Sequence, residues 1–446
     1  MLKSIKITKL FGRFNYELSF PKEGIMIITG PNGYGKSTIL RIINNFCNNN
    51  FEKLLSYTFK KIIIVSDNGS IQITKNKDNF KINDFEFPYP SEKWDRRHGM
   101  PGFLRRMDYE EIDFIAGDNI RFMGGVPKQL RFWDDDIVEQ RFAFSVLSAY
   151  KGKLSAKKLR EKAEEINNAF ALINYIQKNI GKVHFIQEQR LIEKREIPEE
   201  ERRYNQPEAE YVTVINENSE KLKAELAEIM KRHSALSSNL DSTYIKRLFE
   251  ADQNRDFSGK VIERLRELQK KQDKLQKYGL AEIQNASYLN RLDQEKLRKF
   301  GIELSIYLED ANAKYQVFES IIDKLELYES IVNEKLTFKK MILSRTDGIV
   351  VRTDEGVPLS LSDLSSGEQE ILVLFYKLIF ESDVNLLLID EPEISLHIAW
   401  QKELMENLKS VVNLKKNIQV IIATHSPQII SHNWDLQIDL GGLHNG

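Results

Sequence analysis

The sequence predicts an α/β fold interrupted by a large helical insertion, and three observations carry that prediction. Short apolar strands alternate with helices toward both ends of the chain, the pattern of a sheet covered by helices. A glycine-rich loop joins an apolar strand to a helix near the N-terminus. Between Pro207 and Pro358 there is no proline, and leucines recur at steps of three and four, the spacing of packed helices.

Residues 3–9 alternate around Ile5 and Ile7 and read as a half-buried strand; Phe14 to Phe20 reads as a second. Ile25-Met26-Ile27-Ile28 suits a strand buried on both faces. From Ser37 the pattern Thr38, Ile39, Leu40, Ile42, Ile43 predicts a helix. Strands are expected over 60–66 and 70–75, with Asp67-Asn68-Gly69 as the turn of a hairpin. Residues 86–135 read as irregular, and Trp94, Arg96, Arg97, His98, Arg105 and Arg106 gather there. A solvated, loop-rich excursion is favoured over a partner or nucleic-acid surface. A helix is expected over 137–180 and a strand over Val183–Ile186.

Residues 195–336 read as the helical insertion. Leu222, Leu226, Ile229, His233, Leu236 and Leu240 form one heptad-like run, and Val261, Leu265, Leu268, Gln272 and Leu275 another. The expectation is an antiparallel coiled-coil hairpin with a further helical stretch from Leu292 to Leu336. The insertion divides the chain into residues 1–194, 195–336 and 337–446. Strands then return at Phe338–Leu343, Ile349–Arg352, Leu386–Ile389 and Val420–Ala423, with helices at Gly367–Phe380 and Leu396–Val412.

Composition sets bounds on function. Of the 446 residues, 65 are Lys or Arg and 66 Asp or Glu, so the whole chain is no electrostatic trap for nucleic acid, although a local patch stays open. The single cysteine, Cys47, excludes an internal disulfide and a Cys-rich zinc site; it reads as a buried small residue. The N-terminus alternates like a strand and does not form the apolar block of a secretion signal. The sequence has no run of about 18 apolar residues, the length that would span a membrane, so no membrane-spanning helix is expected. A cytoplasmic location is expected.

Four motifs carry chemistry. Gly30-Pro31-Asn32-Gly33-Tyr34-Gly35-Lys36-Ser37 matches the P-loop pattern. Its glycines let successive N–H groups, with Asn32, Gly33 and Gly35 among them, point at phosphate oxygens. The helix that starts with Ser37 and Thr38 turns its positive end to the same phosphates. Lys36 is expected on the β- and γ-phosphates and Ser37 on Mg²⁺. Leu386-Leu387-Leu388-Ile389-Asp390-Glu391 is an apolar strand ending in two carboxylates. Asp390 suits Mg²⁺, a hard cation, and Glu391 suits the base that orients and deprotonates water. In Leu364-Ser365-Ser366-Gly367-Glu368-Gln369, Ser365 and Glu368 have the spacing of a capping box at a helix N-terminus, an anion site. Ala423-Thr424-His425-Ser426-Pro427 places a histidine just after an apolar strand.

The order of these motifs around a long helical insertion resembles the ABC-type ATPase heads of the SMC/Rad50 and overcoming-lysogenisation-defect groups. The resemblance implies that two heads sandwich two ATP molecules with Mg²⁺. Ser365, Ser366, Gly367 and Glu368 of one head would meet the nucleotide held by the other. His425 would lie near the γ-phosphate and act with Glu391 in catalysis. Gln187 or Gln189, in Phe185-Ile186-Gln187-Glu188-Gln189-Arg190, would be the Q-loop glutamine. Ser395, within Glu393-Ile394-Ser395-Leu396-His397, would belong to the D-loop at the dimer seam. Phe11, Arg13 and Phe14 lie where a side chain could stack on adenine, and core packing is an equal reading. The overcoming-lysogenisation-defect nucleases continue into a TOPRIM domain after the histidine. This sequence ends at Gly446, so any nuclease is expected on another chain.

The N-terminal wording, Leu10-Phe11-Gly12 and Asn15-Tyr16 followed by the P-loop, is most similar to the ATPase subunits of PARIS anti-phage systems (AriA), with the Septu ATPase subunits (PtuA) second. That resemblance implies a homo-oligomeric ATPase, slow or gated by a partner, that holds a separate TOPRIM-like effector nuclease. It would release the effector on sensing a phage-encoded trigger protein. The alternative is a DNA repair or recombination ATPase of the RecF or Rad50 kind. Near-zero net charge, short heptads and the absence of a Cys-x-x-Cys hook oppose it. A transporter subunit is opposed by the long insertion ahead of Leu364-Ser365-Ser366-Gly367-Glu368-Gln369, which fills the place of the family's signature motif.

Overall fold

The structure is a computed structural model. It describes residues 1–21, 23–89, 154–187, 192–196, 209–251, 261–281, 300–381, 384–394, 396–415 and 417–444. They form two compact units. The first comprises residues 1–188, 383–394 and 415–446; the second, residues 189–382 and 395–414. The cluster from Trp94 to Arg106, residues 137–153, Gln189 and Ser395 lie outside the described residues.

The first unit opens with β1 (Leu2–Leu10) and β2 (Phe14–Ser19), paired antiparallel. Their alternation buries Ile5, Ile7, Tyr16 and Leu18 on one side. β3 (Ile25–Thr29) is buried along its whole length. After helices Lys36–Cys47 and Phe51–Ser56, β4 (Lys61–Ser66) and β5 (Gly69–Lys75) form the expected hairpin, its Ser66↔Gly69 pair closing around Asp67 and Asn68. Two short strands not foreseen from the sequence, β6 (Asn79–Ile82) and β7 (Phe85–Pro88), extend the sheet. Its order is β2-β1-β4-β5-β6-β7, antiparallel throughout. The helix Ala156–Ile180 leads to β8 (Val183–Ile186).

The second unit begins with β9 (Ile192–Glu196) and β10 (Ala209–Thr213), an antiparallel pair. The insertion therefore opens as a hairpin and not as a helix; Tyr211-Val212-Thr213 is strand-prone, and the heptad spacing starts only at Leu222. Three helices follow, Val214–Glu250, Val261–Lys277 and Gly301–Asn333. The two heptad-like helices do not form the expected hairpin with each other. Both pack along the third, which buries Leu308, Tyr315, Phe318, Ile322, Leu325 and Tyr328. Ion pairs Arg247–Asp310 and Lys314–Asp241 run antiparallel along one side. Val261, Leu265 and Leu268 cluster with Leu308 on the other. The heptad runs are short, and the large residues of the third helix offer more apolar area than either run offers the other.

β11 (Lys339–Ser344), β12 (Gly348–Thr353) and β13 (Pro358–Leu359) make a three-stranded antiparallel sheet. The signature helix Ser366–Ile379 packs on Gly301–Asn333, where Tyr328 donates its hydroxyl to the Leu372 carbonyl at 2.9 Å in a buried bond.

The chain returns to the first unit with β14 (Leu386–Asp390), passes through helix Ile398–Lys415, and completes that unit with β15 (Gln419–Ala423) and β16 (Gln437–Asp439). A five-stranded sheet of order β16-β3-β15-β14-β8 results, every pair parallel. Both faces of such a sheet are covered, so β3, β14 and β15 are apolar without alternation. One apolar core joins both sheets of this unit to Ile39, Leu40, Ile43 and Phe46 of helix Lys36–Cys47. Cys47, expected to be buried, is partly exposed at the end of that helix. Among the described residues no helix is long and apolar enough to cross a membrane.

Candidate functional site

The register of the parallel sheet sets the site. Ile28 pairs with Ala423, and Ala423 with Asp390. The loops leaving β3, β15 and β14 therefore emerge side by side at the carboxyl end of the sheet, where open α/β sheets bind ligands. The ladder continues one step beyond the strands: Thr424 N–H donates to the Ile28 carbonyl at 3.1 Å, and Glu391 N–H to the Ala423 carbonyl at 2.8 Å.

The loop after β3 takes backbone conformations that favour glycine. Gly33 has φ +84° and Gly35 φ +92°. A Cβ on Gly35 would lie 2.8 Å from Leu10 Cδ2 and 3.1 Å from the Phe11 ring. A Cβ on Gly33 would meet nothing within 4 Å; that residue faces open space, as a phosphate cradle requires. Tyr16 braces the loop from β2, donating its hydroxyl to the Tyr34 carbonyl at 2.8 Å. Burial and then the neighbouring Tyr34 push the Tyr16 phenol up to about 12.

Lys36 is buried and donates to the Gly30 carbonyl at 3.1 Å. Its ammonium also meets the His425 ring, at Nε2 and, at 3.4 Å, Nδ1. An ammonium only donates, so the ring nitrogen it addresses accepts. Burial lowers the Lys36 ammonium from its ordinary value, while Glu391, Asp390 and Glu393 pull it back up. Ser37 donates its hydroxyl to Asp390 Oδ1 at 2.8 Å. His425 Nε2 stands 3.6 Å from Glu391 Oε1. Glu391 has φ +45°, a left-handed conformation that costs a non-glycine residue on the order of 1 kcal/mol. It marks the point where the chain turns off the strand.

Sequence-predicted residues of the first unit are thus brought to one end of the sheet in two sets of contacts: Lys36, His425 and Glu391 in one, Ser37 and Asp390 in the other. Gln187 is exposed, one residue beyond the Ile186↔Ile389 pair. Phe14 is not available to a ligand, since it is buried against Tyr16 and Tyr34. Phe11 and Arg13 are exposed. Two residues were given no role of their own from sequence, although Glu393 was placed at the head of the D-loop segment. Tyr16 lies on a strand whose alternation alone accounts for it. Glu393 gathers three donors from the Thr424–Ser426 segment, and only its place one residue after the Pro that follows Glu391 could have marked it.

In the second unit the segment before the signature helix is braced within itself. Ser365 and Glu368 form the expected capping box. Ser365 N–H donates to Glu368 Oε2 at 2.9 Å, and Lys339 Nζ reaches both Glu368 oxygens at 2.9 Å. Gln369 Nε2 donates to the carbonyls of Ser362 at 3.1 Å and Leu364 at 2.8 Å. Burial alone would raise the Glu368 carboxyl, but Lys339 and the Ser365 donors hold it below its usual range.

The donor set fits a nucleotide with Mg²⁺. Among the described residues no group of three His, Cys, Asp or Glu could hold a metal alone. Mg²⁺ is characteristically held by one or two protein oxygens and completed by substrate phosphates and water. Ser37 Oγ and Asp390 Oδ1 offer such a pair beside an open glycine loop.

The Smc head domain with an extended coiled coil from Pyrococcus furiosus, bound to the C-terminal domain of ScpA, is similar to this chain. The identity is 10%, coverage is 96% of this chain and 91% of that chain, and the TM-score is 0.38. The SMC head domain from Thermotoga maritima is similar at 10% identity, covering 96% of this chain and 90% of that chain, with a TM-score of 0.32. The family model of the AAA ATPase domain matches residues 1–430, both units included, and by that match the chain belongs to the AAA ATPase domain family.

Proposed function

We propose that this chain binds Mg-ATP at the P-loop and hydrolyses it when two copies engage head to head. The observation that supports this reading most is the convergence of two sets of contacts, Lys36–His425–Glu391 and Ser37–Asp390, at the carboxyl end of one parallel sheet. In this reading the P-loop N–H groups and Lys36 hold the β- and γ-phosphates. Ser37 and Asp390 hold Mg²⁺, which when bound neutralises charge on the transferring phosphoryl group. Glu391 orients the attacking water and takes its proton. His425 exchanges its contact with Lys36 for one with the γ-phosphate. Gln187 or Gln189 and the D-loop Ser395 complete the site. Ser365, Ser366, Gly367 and Glu368 act in trans: the N-terminus of the braced signature helix faces the nucleotide of the partner head. The head is divided by the insertion into residues 1–194, 195–336 and 337–446.

The test is nucleotide binding beside turnover. Lys36→Ala should lose binding of a fluorescent ATP analogue. Glu391→Gln should bind it as the parent does and lose turnover by about 100-fold or more. Parental turnover by Glu391→Gln would refute the assignment of the base.

The narrower role we propose is that of a sensor and scaffold in a prokaryotic anti-phage system, in which a homo-oligomer holds a TOPRIM-like effector nuclease and releases it on meeting a phage protein. The N-terminal wording shared with PARIS ATPase subunits supports it. Co-purification of tagged Glu391→Gln with the products of adjacent genes, in ATP, tests it. A complex with a small TOPRIM-like protein is expected. ATP-dependent binding to DNA by the chain alone would instead favour a repair ATPase.

A further inference from the structure

Glu393 has no assigned part in the chemistry above, yet its carboxylate accepts from three donors beside the site. One oxygen, Oε1, accepts from the Thr424 hydroxyl at 2.7 Å, from the His425 N–H at 2.7 Å and from the Ser426 N–H at 3.1 Å. Successive N–H groups converging on one anionic oxygen form a nest. Thr424, fully buried, ties the nest together by accepting from Ser426 N–H at 2.9 Å.

The carboxylate is itself held from the other side. Pro392 is buried and fixes its own φ. Ile394 N–H closes the turn on the Glu391 carbonyl at 3.2 Å, and Glu391 N–H is bonded to Ala423. The turn after β14 and the segment after β15 are therefore joined twice, once through backbone and once through Glu393. Between those two joints lie the Glu391 carboxylate and the His425 ring, 3.6 Å apart. Removing Glu393 would leave the buried Thr424 hydroxyl and two N–H groups without this acceptor, and would free the backbone of His425 from the turn that bears Glu391.

We propose that Glu393 is a positioning residue for hydrolysis, fixing the Thr424–Ser426 segment so that the His425 ring is held beside Glu391 at the end of the sheet. The proposal depends on the reading that His425 serves the nucleotide site. Its action passes through a hydrogen-bond acceptor, so a side chain that keeps a carbonyl oxygen at the same reach should replace it.

The experiment compares Glu393→Ala, Glu393→Gln, His425→Ala and the Glu393→Ala/His425→Ala pair in the full chain. Amide exchange is read without nucleotide; fluorescent-nucleotide affinity and kcat are read with ATP. Glu393→Ala should speed exchange of the His425 and Ser426 amides by about tenfold or more. It should lower kcat by about tenfold or more and leave nucleotide affinity within about threefold. Glu393→Gln should restore both readouts to near the parental values. In the His425→Ala background, Glu393→Ala should change kcat by less than about twofold, because the two act as one unit. Parental kcat in Glu393→Ala alongside a slowed His425→Ala would overturn the proposal and leave the nucleotide site as read. So would equal losses in Glu393→Ala and Glu393→Gln, or losses that multiply in the pair. Parental kcat in His425→Ala would overturn the reading of that histidine, and the proposal with it.

Discussion

The residues that set the P-loop are held by contacts of different strength, and these rank the expected effects of change. Gly35 combines φ +92° with a Cβ position 2.8 Å from Leu10. Gly35→Ala should destabilise by about 1–3 kcal/mol in denaturant unfolding and weaken nucleotide binding, since both strain and a clash fall on the phosphate loop. Tyr16→Phe keeps the buried ring and removes only the hydroxyl bonded to Tyr34. It should cost about 1 kcal/mol, a smaller loss visible in the same unfolding midpoints. That Lys36 and Ser37 would meet Asp390 and Glu391 at one end of a sheet was legible, because a glycine loop between strand and helix and an apolar strand ending in two carboxylates are patterns with fixed spacing. Tyr16 and Glu393 were not, because a buried tyrosine on an alternating strand and a glutamate in a turn have many ordinary reasons to be there. Phe14 shows the converse: an aromatic in a suggestive place proved to be core.

At the level of elements, the signature helix carries its own brace. Ser365→Ala removes the cap and should cost about 1 kcal/mol. The Glu368 carboxyl is held below its usual range by Lys339 and the Ser365 donors, against burial. A depressed carboxylate stabilises the fold above its unfolded value, about 4.3, and that stabilisation is lost as pH falls through the lower folded value. The unfolding midpoints of the parent and Glu368→Gln should therefore differ most near neutral pH and converge below about pH 4. The strands and helices flanking the motifs were legible because buried parallel strands are apolar runs and the helices are periodic. β6, β7 and β16 were not, since strands of three or four residues carry too few positions to show a period. The coiled-coil hairpin failed for a different reason. Heptad spacing states that a helix has a partner and does not name it, and the third helix, richest in buried aromatics and isoleucines, took both faces.

For the whole molecule, the residues proposed for the phosphates and Mg²⁺, Lys36, Ser37, Asp390, Glu391 and His425, sit in one compact unit and the signature helix in the other. The proposed site needs the signature helix of a second copy, so engagement should follow nucleotide. The most direct test is the mass of Glu391→Gln in solution, by light scattering, with and without Mg-ATP, beside the same protein carrying Ser366→Arg. The account predicts that Mg-ATP at least doubles the mass of Glu391→Gln, and that Ser366→Arg abolishes the increase while binding of the fluorescent nucleotide persists. A mass unchanged by ATP at saturating occupancy, or an increase indifferent to Ser366→Arg, would contradict it.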